Sequence, residues 1–408
     1  MTRAVEERSE PVPSGRTERA AARAVPAFIA GARECFERSG YVGTRIEDIA
    51  SAANYAVGSF YTYFASKEEV LLAASRSTDP SQVSTSTLRP GAERAQLSDV
   101  IVQVDAHCGE RGGLDAAMEQ AALRSPTVLV EWRLGRATSV STVSGLLRDA
   151  DLGQSLSDDE LAAVSSALLS MVEQRRRLDL GVGGEPVRGI WAAAVDAELV
   201  EVTPLTAAFD APTAPVAAPP AAGSKARLLA AANTLFSTEA WESVAVARIA
   251  ETAGVANGTF YRHFGSKAEV LGVLLDSAPS SLFPEVAKGD SMSFPDEVFH
   301  LVMSHFEGVH RSVGLWSSVA EAGHEPLVRD AVERARRRWA VSVTDVVRDW
   351  QRGGEVSSGV DVTAVSPALA AMLEREAFLV AVVQRTPEAI YDAAATVRDC
   401  WWRALTSR

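Results

Sequence analysis

The chain has 408 residues, 47% of them apolar and 23% charged, with a formal net charge of −13. That length leaves room for two or more domains, and that balance is the profile of an ordinary globular protein. The acidity argues against indiscriminate coating of nucleic acid, no apolar run is long enough for a transmembrane helix, and Cys35, Cys108 and Cys400 are too scattered for zinc or a disulfide framework.

Residues 1–15 are polar and proline-containing and carry no secretory apolar segment, so a mobile tail and a cytoplasmic location are expected. A first helix is expected over 17–38, with Phe28, Ile29, Ala32, Cys35 and Phe36 on its apolar face. Arg16, Arg19 and Arg23 precede that face; they read either as a solvated helix start or as a cationic arm for phosphates. Thr44-Arg-Ile-Glu47 has the form of a capping box, predicting a short helix from Thr44 that stops at Asn54. A second short helix follows from near Ala56, with Phe60 and Phe64 on one face, and Ser66-Lys-Glu-Glu69 caps the next. Two short helices joined by a tight turn form the layout of a helix-turn-helix.

Helical segments are expected over 93–109, 113–124, 126–149, 157–179 and 186–201, with Ser157-Asp-Asp-Glu160 as a clear start signal. Strand patterns are missing, so the fold class is all-α. Residues 203–223 are rich in proline and alanine, a linker whose polyproline-like reach is on the order of 65 Å.

The second half then repeats the first. Gly58-Ser-Phe-Tyr-Thr-Tyr-Phe-Ala-Ser-Lys-Glu-Glu-Val-Leu71 recurs as Gly258-Thr-Phe-Tyr-Arg-His-Phe-Gly-Ser-Lys-Ala-Glu-Val-Leu271, at a constant separation of 200 residues. Pro126 matches Pro326, and Arg148-Asp149 matches Arg348-Asp349. After a one-residue slip Met171-Val-Glu173 matches Met372-Leu-Glu374. A repeat of this length is a doubled domain, not a solenoid.

The repeated stretch, Ile-Ala followed by Gly-(Ser/Thr)-Phe-Tyr-x-(Tyr/His)-Phe-x-Ser-Lys-x-Glu-Val-Leu, resembles the DNA-binding signature of the tetracycline-repressor (TetR) family of bacterial regulators. It covers about 50 residues in each half. The resemblance implies two tandem units, each a three-helix head followed by a helical effector and dimerisation domain. The expected boundaries are 16–77 and 78–202 in the first half, and 224–277 and 278–408 in the second. Family members pair through their last two long helices, so the halves are expected to pack as an intramolecular pseudo-dimer, monomeric overall. The difference between Arg175 and its equivalent Glu376 would favour pairing of unlike halves.

Resemblance also implies a double-stranded DNA operator and a small-molecule effector as partners. No membrane partner and no cofactor are expected, and an all-α enzyme is disfavoured because no paired acidic-histidine motif, phosphate loop or nucleophile signature occurs and the duplicated head would go unexplained. The first head offers Thr44, Arg45, Val57, Ser59, Tyr61, Thr62, Tyr63 and Lys67; the second offers Asn257, Thr259, Tyr261, Arg262, His263 and Lys267. By family analogy the tyrosines and lysines hold phosphates. Asn257 fits adenine and Val57 a thymine methyl, each against the reading of a solvent-facing residue. Val244 stands where the first head has Thr44, removing a hydroxyl expected to cap the helix and touch phosphate. An asymmetric operator is therefore expected, with a protein-interaction regulator carrying a decayed second head as the rival.

For the effector pocket, Phe299, Met303, Phe306, His310 and Trp316 in the second half, and His107, Met118 and Trp132 in the first, combine apolar surface with a few polar groups. Core packing is the competing reading for each. His300, His305 and His310 recur every five residues, off a common helical face, so no metal site is expected.

Overall fold

The structure is a computed structural model and describes residues 15–77, 93–177, 185–196, 223–277, 292–386 and 388–406. The expected tail and linker fall almost wholly outside these residues. Among the described residues the regular elements are all helices. The first half comprises α1 (Gly15–Gly43), α2 (Ile46–Ala52), α3 (Val57–Tyr63), α4 (Lys67–Arg76), α5 (Glu93–Ala122), α6 (Pro126–Asp149), α7 (Asp158–Arg177) and α8 (Glu185–Asp196). The second comprises α9 (Ser224–Thr238), α10 (Val246–Thr252), α11 (Asn257–His263), α12 (Lys267–Ser277), α13 (Phe294–Arg311), α14 (Val313–Glu321), α15 (Pro326–Gly353), α16 (Val362–Phe378) and α17 (Glu388–Thr406). Short 3-10 turns occupy Trp241–Ser243 and Ala322–His324, and a π-helical turn, Leu379–Gln384, extends α16.

Three helix boundaries differ from the sequence reading. First, α1 breaks at Gly40, whose φ of 66° is left-handed and whose Cβ would lie 2.6 Å from Gln120 Oε1, so glycine is required there twice over. Second, α2 begins at Ile46, not Thr44, with Arg45 as its N-cap residue: Arg45 N donates to Asp48 Oδ2 at 3.1 Å, and no side chain caps the helix from Arg45. Third, the segments expected over 93–109 and 113–124 form one continuous helix, α5. Gly113 within it admits the side chain of Glu37, which a Cβ would meet at 2.7 Å. The equivalent stretch of the second half is interrupted at Ser312, between α13 and α14.

Other local signals hold. Asn54 and Gly254 adopt left-handed φ values of 60° and 65°. Ser66 Oγ accepts from Glu69 N at 3.1 Å, Ser266 Oγ from Glu269 N at 3.1 Å, and Ser157 N donates to Glu160 Oε2 at 2.7 Å.

The halves meet through their last helices. α7 packs along α16, and α8 along α17, making a four-helix layer. Leu168, Met171 and Val172 join Leu369, Met372 and Leu373 in one continuous apolar cluster. Gln120 Nε2 donates to Ala320 O at 2.9 Å. These positions are equivalent in the repeat, and contact between equivalent positions is the mark of a local twofold axis.

Charged groups are buried beside that axis. Arg375 Nε donates to Glu173 Oε2 at 2.9 Å and its Nη1 to Glu119 Oε2 at 3.1 Å, while Arg177 reaches the same Glu119 at 3.1 Å. The Arg136–Glu173 pair recurs in the second half as Arg336–Glu374. The discriminating charge lies one residue before the expected one: Arg375 stands where the first half has Gln174. Glu376 accepts from Ser166 Oγ and Ser170 Oγ, with Arg136 at 3.8 Å.

Candidate nucleic-acid interface

Each head is built on a small aromatic core. In the first, α1 buries Phe28 against Phe60 of α3 and Phe64 just past its end, with ring centroids 5.5 and 6.2 Å apart and edge-on. Those contacts fix α3 across α1 and turn its other face outward. Tyr61 is 57% exposed and Tyr261 59%, the same position in both heads. A large aromatic exposed to that extent is free to contact a partner. Around them Arg45, Thr62, Asn257 and Arg262 are exposed, and Val57, Ser59, Tyr63, Thr259 and His263 are half-buried. His263 Nε2 lies 2.7 Å from Ser224 Oγ at the start of α9. The result is a polar surface on each head, with an arginine at a different position in each.

Thr44 and the two lysines do not present their polar atoms to that surface. Thr44 is 2% exposed, and its hydroxyl donates inward to Gly40 O at 2.7 Å and Cys35 O at 3.0 Å. Val244 fills the same core position, fully buried. The exchange is therefore one of core packing and removes no surface group from the second head, contrary to the sequence reading. Lys67 Nζ donates to Tyr41 O at 2.7 Å and Thr44 O at 2.8 Å and sits 4.3 Å over the Tyr41 ring. Lys267 repeats the arrangement with Trp241 O at 2.6 Å, Val244 O at 3.2 Å and the Trp241 ring at 4.3 Å. Burial pulls both ammonium groups below the ordinary lysine value. These lysines tie the loop after the first helix to the start of the fourth.

Several residues at this site were invisible to sequence reasoning. Gln120 Oε1 accepts from Tyr41 N at 2.7 Å and Val42 N at 3.2 Å, pinning the end of α1. Arg124 forks onto Glu321, at 2.9 and 2.7 Å, and reaches Glu242 of the second head at 2.7 Å. Glu321 in turn accepts from Trp241 N at 2.8 Å. The loop at 42–47, Tyr61 and Lys67 thus share a cleft with Trp241, Glu242 and His324. Arg124 and Glu321 are 197 residues apart, and nothing in the spacing of either announces the pair.

The candidate effector residues disperse. Trp316 lines a cavity between the halves, while Met118 and Trp132 line a space of about 30 Å³, room for one water. Phe299 packs edge-on to Tyr391 at 5.4 Å, Phe306 is fully buried, and Met303 packs against the same core. His310 is half-buried, and His107 Nε2 lies 3.5 Å from Ser139 Oγ.

Two short helices at a tight turn, an outward aromatic on the second, and both made twice in one chain define a two-headed helix-turn-helix protein. Residues 28–74 and 228–274 each match the N-terminal model of the bacterial regulatory proteins of the TetR family. The HTH-type transcriptional regulator TcmR of Streptomyces glaucescens is 31% identical over 166 residues, which cover 37% of this chain and 70% of that one. The nucleoid occlusion factor SlmA of Alteromonas mediterranea is 24% identical over 130 residues, covering 31% of this chain and 67% of its own. Among solved structures, GusR of Salmonella enterica is 20% identical with a TM-score of 0.36, covering 43% of this chain and 91% of its own. The fatty acid degradation regulator FadR of Bacillus halodurans is 17% identical with a TM-score of 0.37, covering 46% and 98%. The chain belongs to the TetR family and is a DNA-binding transcriptional regulator. No helix among the described residues is long and apolar enough to cross a membrane.

Proposed function

We propose that the chain is a ligand-responsive repressor that reads an asymmetric operator of two half-sites, with both heads supplied by one polypeptide acting as a monomeric pseudo-dimer. The observation that carries this reading is the pair of equally exposed tyrosines, Tyr61 and Tyr261, set among unlike neighbours. Tyr61 and Tyr261 contact phosphate and position each head; Val57, Asn257 and Arg262 supply unlike base contacts. Arg45, Ser59, Thr62, Tyr63, Thr259 and His263 complete the two surfaces. Lys67, Lys267 and Thr44 act from behind, by holding the loops at which the heads meet DNA. The domain boundaries at 77, 202, 223 and 277 follow the same division.

A random-pool DNA selection with the intact chain tests it. Recovery of two unequal half-sites, about one or more helical turns apart, supports the reading. A strict inverted repeat with equal halves contradicts the asymmetry, and recovery of a single half-site favours the rival, a regulator with a decayed second head. The conformity of Val244 to the core weakens that rival.

A further inference from the structure

The end of α5 grips both heads. Gln120 Oε1 accepts from Tyr41 N and Val42 N of the first head, while its Nε2 donates to Ala320 O of the second half. Four residues on, Arg124 forks onto Glu321, whose Oε2 accepts from Trp241 N, and its Nη1 donates to Glu242. The loops held in this way, 41–44 and 241–244, lead directly into α2 and α10, the first helices of the two helix-turn-helix units. Lys67 and Lys267 take the carbonyls of the same loops. Each loop is thus bonded to its own head through a lysine and to this junction through its amides.

Divergence of the repeats has made the junction one-sided. Gln120 and Arg124 have Ala320 and His324 as their equivalents, and Glu242 and Glu321 have Val42 and Ala121. On the opposite side His324 packs against Gly43, where an added Cβ would lie 3.3 Å from the histidine Cβ. Two first halves together would set Arg124 before Ala121 and Val42, and two second halves would set Glu321 and Glu242 against His324. Only the unlike pair completes the fork. Glu321 is 3% exposed and Gln120 8%, so these bonds are shielded from solvent. A bidentate guanidinium–carboxylate bond fixes orientation as well as distance, and burial limits its screening by salt.

We propose that this junction sets the distance and angle between the heads, with Gln120 and Arg124 as positioning residues, so that the chain discriminates operators by the spacing of their half-sites. The inference deepens the two-half-site reading and rests on it. One base pair added between half-sites moves the second by about 3.4 Å and turns it by about 35° around the duplex axis. Heads held at both loops are unable to follow that screw. Heads released from the fork follow it, gaining tolerance of spacing while keeping the sequence preference of each half-site.

Two measurements on the full chain test this. Cys35, Cys108 and Cys400 are buried, so spin labels on Ser51→Cys and Glu251→Cys, at exposed and equivalent positions, report the distance between heads by pulsed electron paramagnetic resonance. The comparison variant joins Arg124→Met to Glu321→Gln, which removes the ion pair without stranding a buried charge and leaves an acceptor for Trp241 N. Arg124→Lys, which keeps the charge and loses the fork, should behave as a partial rescue. A single narrow distance is expected in the intact chain, broadened in the double variant and intermediate in Arg124→Lys. In parallel, affinity for the selected operator is compared with that for the same duplex lengthened by one base pair between half-sites. The intact chain should lose about thirtyfold and the double variant less than about threefold. Distances equally narrow in both proteins would overturn the proposal, and so would a spacing penalty that the double variant leaves intact. A distance that broadens as expected, with selected DNA carrying a single half-site, sinks the two-half-site reading and keeps the junction.

Discussion

Arg375 and Glu119 form a buried ion pair across the two halves, each only 3% exposed, that their own equivalents in the repeat, Gln174 and Val319, are unable to form. The pairing is therefore directional. Two first halves together would set Gln174 beside Glu119, and two second halves would bury Arg375 beside Val319. Breaking a buried pair by removing one partner costs far more than the pair contributes, so mismatched assemblies are penalised on both counts.

A double-mutant cycle measures this. Arg375→Gln alone should lower stability by about 3 kcal/mol in urea unfolding, because it leaves Glu119 with Arg177 as its remaining cation. Adding Glu119→Val, which makes both positions match their equivalents, should recover much of the loss. A coupling energy of about 2 kcal/mol is expected, and strict additivity would remove the pair from the account.

Acid should loosen the halves in a defined window. Burial alone would raise the Glu119 carboxyl, but Arg177 and Arg375 outweigh it and hold it down to about 2 from an ordinary 4.5. A carboxyl depressed in the folded state contributes stability that is complete above pH 4.5 and lost as pH falls toward about 2. The contribution is on the order of 3 kcal/mol. Stability followed by urea titration from pH 5 to 2 should fall in that window, and the fall should shrink in Glu119→Gln.

Thr44 and Val244 separate core packing from DNA contact. Thr44→Val should cost about 1–2 kcal/mol of stability through its two inward hydroxyl bonds. DNA affinity, measured well below the melting temperature, should change by less than about twofold. A tenfold loss of affinity with stability intact would place that hydroxyl at the DNA after all.

Tyr61→Ala and Tyr261→Ala should each weaken operator binding by about 1–2 kcal/mol with little effect on folding, since both side chains stand more than half exposed. Each loss should be similar across DNA sequences, as a phosphate contact requires. If Tyr261→Ala leaves affinity and salt dependence unchanged, the second head does not engage.

Much of this fold was legible in the sequence because its signals are local. Asn54, Gly254, Ser66 and Ser266 mark turns and caps through backbone conformation or hydrogen bonds within three residues, and the structure keeps each. The cap at Arg45 was missed because Thr44 found inward acceptors in α1, a tertiary contact that overrides the local pattern. The clamp of Arg124 on Glu321 and Glu242, and the lysines beneath the heads, join residues that only the folded chain brings together. The aromatic core of each head, with Phe28, Phe60 and Phe64, could be read; the inward turn of Thr44, Lys67 and Lys267 and the clamp between the halves could not.

Sedimentation equilibrium of the intact chain with a duplex carrying the selected operator tests the central claim most directly. One 43.4 kDa chain per duplex, protecting both half-sites, is the predicted result. A complex containing two chains per duplex, with no one-to-one species at any ratio, would contradict it.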